Sequence, residues 1–137
     1  MRLAVLSDIH GNAWALEAVL ADVRSRSPDQ LVVLGDLLAD GPAPLATLRL
    51  LETLDNTLHV RGNTDRYLAH MEALAPPRSE LPDLVETWRW GLAQIGGSGK
   101  LAALLARHDC GSLAQVIAPG VSCPCRPTKS CTTSPTN

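Results

Sequence analysis

Hydrophobic positions along this chain fall into two alternating patterns. Leu3-Ala4-Val5-Leu6 and Leu31-Val32-Val33-Leu34 are short apolar runs without a polar interruption. Such runs suit strands buried on both faces, as in a parallel sheet. Between them, Leu16, Val19, Leu20 and Val23 recur at i, i+3, i+4 and i+7 and predict a helix from Asn12 to about Arg26. Asn12 is a suitable N-cap, and Ser27-Pro28-Asp29 stops the helix. After the second run, Gly41-Pro42-Ala43-Pro44 supplies a turn and a proline fit for a first helical turn. Leu45, Leu48, Leu51 and Leu54 then mark a second helix that ends near Asp55-Asn56. Thr57-Leu58-His59-Val60 is a third, more polar strand.

The pattern is β-α-β-α-β, with connections long enough for crossover helices. Such units are right-handed and give parallel neighbours, so all three strand ends meet one edge of the sheet. Ligands bind at that edge in open α/β sheets. Each strand here runs into polar residues: Ser7-Asp8-Ile9-His10-Gly11-Asn12 after the first, Gly35-Asp36 after the second, and Arg61-Gly62-Asn63-Thr64-Asp65 after the third. Asp8, His10, Asp36, Asn63 and Asp65 are therefore expected on one rim. Beyond them the chain reads as helical to Arg107. A short helix spans Tyr67 to Leu74, and prolines 76, 77 and 82 separate it from the next. Leu84, Trp88, Leu92 and Ile95, widened by Val85, form one face of that next helix. Gly96-Gly97-Ser98-Gly99 breaks it, and Leu101, Leu104 and Leu105 begin another amphipathic stretch.

Composition narrows the function classes. The net charge of −2, with no basic block, argues against an electrostatic nucleic-acid binder. No apolar run approaches a bilayer-spanning length, and the N-terminal apolar stretch is short for a secretory signal, so a cytoplasmic protein is expected. Among 137 residues there is no Phe, so the core must rest on Leu, Val and Ala. Cys110, Cys123, Cys125 and Cys131 do not form a C-x-x-C pair and are expected to be free thiols rather than zinc ligands. The glycine cluster before Lys100 lacks a preceding strand and the G-K-[ST] spacing, so it reads as a linker between helices. The first strand is followed neither by G-x-G-x-x-G nor by an adjacent acidic pair, which sets aside a dinucleotide-binding domain and a receiver-type phosphoacceptor domain.

The three strand-end segments together resemble the calcineurin-like metallophosphoesterases. Ser7-Asp8-Ile9-His10-Gly11-Asn12 is similar to that family's D-x-H block, Gly35-Asp36 with Gly41-Pro42 to its G-D block, and Gly62-Asn63-Thr64-Asp65 to its G-N-x-[DE] block. The nearest branch in pattern is that of the small bacterial phosphodiesterases of the YfcE type. The resemblance covers residues 1 to about 107. It implies an α/β class fold, the N-terminal β-α-β-α-β part of an α/β/β/α sandwich, and a phosphodiesterase or phosphatase using two divalent metal ions. By the same resemblance, Asp8 and His10 would bind the first ion and Asp36 would bridge both. Asn63 would bind the second through its amide oxygen and contact the phosphate, the one catalytic role assigned besides metal binding. Such donors suit Mn²⁺, Fe²⁺, Zn²⁺ or Ni²⁺, and a bridging carboxylate holds two ions about 3.5–4 Å apart around an attacking hydroxide. The partner implied is a small-molecule phosphoester.

Two departures stand out. Thr64 occupies the position where many members carry His, although the YfcE-like branch often lacks it too. The later His-bearing motifs, including G-H-x-H, are absent, and His59, His70 and His108 are not expected to replace them. The character of the chain also changes after residue 107. Residues 119–137 hold four Pro, four Thr, three Ser and three Cys, with Val121 the only aliphatic side chain. The expected organisation is a partial metallophosphoesterase domain over 1–107 and an atypical, disordered tail over 108–137, translated out of frame or following a truncation. With about half of the site in hand, a non-catalytic metal- or protein-binding module is the alternative to an enzyme. A partly uncovered sheet would also leave the chain marginally stable.

Overall fold

The computed structural model describes residues 1–55, 57–71 and 82–108. The tail expected over 108–137, with all four cysteines, and the proline-rich stretch 76–81 therefore lie outside the described residues, apart from His108 itself. Eight elements follow in order: β1 (Leu3–Leu6), α1 (Ala13–Arg26), β2 (Gln30–Val33), α2 (Pro44–Glu52), β3 (Thr57–His59), α3 (Asn63–His70), α4 (Pro82–Ile95) and α5 (Ser98–His108). The strands form one parallel sheet in the order β1-β2-β3. Leu3 pairs with Gln30 and Leu6 with Val33, while Leu31 pairs with Thr57 and Val33 with His59. This is the parallel α/β arrangement expected from the alternation of patterns.

Local chemistry sets the element ends. Asn12 caps α1, its side-chain oxygen accepting from the Ala15 N–H at 3.1 Å. Ser27 closes that helix in the left-handed conformation at φ 45°. Pro44 stands in the first turn of α2, where a missing N–H costs nothing. Between α4 and α5, Gly96 and Gly97 take φ values of 81° and 101°, which is why the break falls there; Ser98 and Gly99 already belong to α5. The helix expected from Tyr67 starts earlier, at Asn63, because Asp65 satisfies its first turn. α2 stops at Glu52, three residues short of the turn signal.

The core is leucine-rich, as a chain without Phe requires. Leu16 and Leu20 of α1, Leu48 and Leu51 of α2, Val33 of β2, and Leu37 and Leu38 of the following loop form one buried cluster with Trp88, Leu92, Ile95, Leu101, Leu104 and Leu105. α2 packs on α1 and α4, and α5 packs on α3 and β3. The faces predicted for the last two helices are thus the buried ones.

β1 differs from expectation. It is an edge strand rather than one buried on both faces, with Leu3 38% and Val5 53% exposed. An uninterrupted apolar run does not distinguish a central strand from an edge strand. Val19, expected on the buried face of α1, is 42% exposed and lines a groove beside β1 together with Val5. α1 lies towards the sheet edge, so only the stripe Ala13-Leu16-Leu20 meets the core.

Candidate metal centre

Backbone hydrogen bonds continue past the strands and lock the first two strand-end loops together. The N–H groups of Asp8, His10 and Gly11 donate to the carbonyls of Gly35, Asp36 and Leu37 at 3.3, 2.9 and 2.9 Å. The Ala43 N–H returns to the Gly11 carbonyl at 3.0 Å. Gly41 is required here by close approach: a Cβ on it would lie 1.6 Å from the His10 carbonyl oxygen. This zipper brings Asp8, His10 and Asp36 onto one rim, where one potential ligand atom from each lies within 4.8 Å of the others.

The backbone at these residues is unusual. Asp8, His10, Asp36 and the nearby Asp40 have φ values of 55°, 46°, 53° and 69°. Non-glycine residues in this region cost of order 1–3 kcal/mol each and persist where surrounding contacts over-determine them. Three of these four are the residues expected from sequence to bind metal.

Each side chain is oriented by a neighbour. His10 presents Nδ1 to the Ala39 carbonyl at 3.1 Å, and its Nε2 stands 3.8 Å from Asp8 Oδ1. An imidazole whose Nδ1–H meets a backbone carbonyl has a lone pair on Nε2, the form that binds metal. The Ser7 hydroxyl donates to Asp8 Oδ2. Asp36 Oδ1 accepts from both the N–H and the hydroxyl of Thr64, at 3.0 and 2.7 Å. Thr64, at the position of departure from the common family pattern, thus fixes the Asp36 carboxylate. Asn63 is the first residue of α3 and is exposed, adjacent to Thr64.

Asp65 departs from expectation. It does not join the ligand cluster; it is fully buried, and its oxygens accept from the N–H groups of Asp36, Leu37 and Gly62 at 2.9, 2.8 and 2.9 Å. It ties the loop after β2 to the start of α3. Burial raises its carboxyl above the ordinary value, against the opposing pull of those amide hydrogens. His59 is buried within β3, as expected of a packed residue. His70 and His108 end α3 and α5.

Two residues near the site were not singled out for it by sequence. Asp40 places Oδ2 3.7 Å from His10 Nδ1, and its Oδ1 accepts from the Trp88 indole N–H at 2.7 Å. Trp88 also stacks on Tyr67 of α3, with ring centroids 5.7 Å apart and planes 15° apart. A separation of 48 residues leaves no periodic signal for the Asp40–Trp88 bond.

A family model described as calcineurin-like phosphoesterase matches residues 1–108. A symmetrical bis(5'-nucleosyl)-tetraphosphatase from Vibrio campbellii is 41% identical over 120 residues, covering 80% of this chain and 42% of the relative. Phosphodiesterase YfcE from Escherichia coli is 37% identical over 89 residues, covering 56% of this chain and 48% of the relative. The crystal structure of a metallophosphoesterase from Sphaerobacter thermophilus superposes with a TM-score of 0.56 at 30% identity, over 76% of this chain and 40% of that one. The chain spans less than half the length of each of these proteins. No helix among the described residues is long and apolar enough to cross a membrane.

Proposed function

The chain belongs to the calcineurin-like phosphoesterase family, and from that premise we propose that it serves metal-dependent hydrolysis of small-molecule phosphoesters, with Asp8, His10, Asp36 and Asn63 as the metal ligands. The observation that carries this reading is the convergence of one donor atom each from Asp8, His10 and Asp36 within 4.8 Å. Two carboxylates and an imidazole form a donor set for a first-row divalent ion. In this reading Asp8, His10, Asp36 and the Asn63 amide oxygen would hold the divalent ions, and Asn63 would also meet the phosphate. Bound divalent ions supply positive charge to the phosphoryl oxygens and acidify water for attack.

The residues of the chain do the positioning. Thr64 holds Asp36 through one oxygen, which limits the carboxylate's search among rotamers. The Ala39 carbonyl holds His10 Nδ1, so Nε2 faces the same point as Asp8. The exposure of Asp8 and Asn63 leaves the rim open to a substrate from solvent.

The relatives' names direct the choice of substrates: a bis(5'-nucleosyl) tetraphosphate and a simple phosphodiester. The test is hydrolysis of both by the full chain with Mn²⁺ and after chelation, beside Asp36→Asn. The expected result is Mn²⁺-dependent turnover that falls at least about 100-fold in the variant, the scale on which removal of one charged transition-state contact acts. Mn²⁺ binding without turnover would instead identify a non-catalytic metal-binding module. No Mn²⁺ binding would overturn the assignment of the site.

A further inference from the structure

We propose that Asp40 and Trp88 are positioning residues for His10, so that helix α4 sets the tautomer and direction of the imidazole from outside the sheet. The purpose of this arrangement rests on the metal-binding reading above, but its geometry does not. His10 Nδ1 faces two oxygens, the Ala39 carbonyl at 3.1 Å and Asp40 Oδ2 at 3.7 Å. Neither can donate, since the carbonyl is an acceptor and an ionised carboxylate accepts only, so the neutral imidazole carries its proton on Nδ1. Asp40 has little freedom to leave. Its backbone is held at φ 69°, and its other oxygen accepts from the Trp88 indole at 2.7 Å. Trp88 is 8% exposed and has no second use for its single donor, which a buried indole must place. The same ring stacks on Tyr67, one turn along the helix that begins with Asn63 and Thr64. One side chain of α4 therefore contacts the loop after β2 through Asp40 and the helix after β3 through Tyr67, and reaches the loop after β1 through Asp40 and His10.

Partners of a ligand's distal nitrogen fix ring orientation, and their loss costs about 10–100-fold in metal affinity. The variants are Asp40→Asn, Trp88→Phe and both together, in the full chain. Asn tolerates the left-handed backbone at position 40, removes the charge and replaces one acceptor oxygen by an NH₂ donor, which opposes an Nδ1–H. Phe keeps a ring beside Tyr67 and removes the N–H together with part of the indole's volume. The first readout needs no metal: imidazole ¹⁵N chemical shifts of His10 at a pH where the ring is neutral. The proposal expects the Nδ1–H tautomer in the wild type and a shift towards Nε2–H in both single variants. The second is Mn²⁺ affinity by calorimetry. Each single change is expected to weaken binding about 10-fold or more, and the double variant no more than the weaker-binding single, because both act through one link.

A wild type dominated by Nε2–H, single variants with unchanged tautomer and affinity, or fully additive losses would overturn the proposal. A wild type with the Nδ1–H tautomer but no Mn²⁺ binding would overturn the metal reading and leave the positioning role supported. Should Trp88→Phe fail to fold, Asp40→Asn decides, since it leaves the buried indole in place.

Discussion

Asp65→Ala separates the frame of the site from its ligands. The carboxylate lies outside the cluster of candidate ligand atoms, yet it accepts three amide N–H groups at 2.8–2.9 Å, one of them from the backbone of Asp36. Hydrogen bonds to a charged acceptor contribute about 1.5–3 kcal/mol each, and a buried donor left unpaired costs about 1–3 kcal/mol. Against this stands the cost of keeping a carboxylate dry, which the upward displacement of its proton affinity records. Water entering the space left by the side chain would satisfy part of the loss. The net destabilisation expected is about 3 kcal/mol, a large share of the roughly 5–15 kcal/mol that holds a domain folded. The measurement is urea unfolding followed by tryptophan emission, with Trp88 as the buried reporter. Asp65→Asn should lie between wild type and alanine, because one amide oxygen replaces two carboxylate oxygens and its NH₂ opposes a backbone donor. Mn²⁺ affinity should fall in step, because the Asp36 backbone loses its anchor. An alanine variant within 1 kcal/mol of wild type, a threshold well below the summed loss of three bonds, would refute this account of the residue.

Two further outcomes follow from the same framework. Because burial raises the Asp65 carboxyl above its unfolded value, the folded chain takes up that proton at a higher pH than the unfolded chain. The associated stability is fully present below the unfolded value and is lost as pH rises through the folded one, so wild-type urea midpoints should decline relative to Asp65→Asn across that window; the opposite slope would count against it. Gly41→Ala should destabilise by about 3 kcal/mol or more, since its Cβ would meet the His10 carbonyl at 1.6 Å, whereas Gly91→Ala in α4, with nothing within 4 Å, should stabilise by about 0.5–1 kcal/mol; paired thermal melts test both.

Much of the site was legible along the chain because strand ends and metal-ligand chemistry are both local. Leu3 to Leu6 ending in Asp8 and His10, and Leu31 to Leu34 ending in Asp36, needed only a right-handed crossover to bring three candidate ligands to one edge. The cap at Asn12, the proline at α2 and the glycine break before α5 were equally readable, since each is decided within a few residues. Tertiary structure decided what depends on neighbours distant in sequence. It put β1 at the sheet edge, so Leu3 and Val5 face outward despite an apolar run that suits a buried strand. It turned Asp65 inward to three backbone donors, whereas its place in the chain beside Asn63 gave it the look of another rim acid. It joined Asp40 to Trp88 across 48 residues. Periodicity encodes which side of an element is apolar; which polar group meets which is settled only when the loops are packed, because a buried donor or acceptor takes whatever partner the fold brings within 3 Å or so.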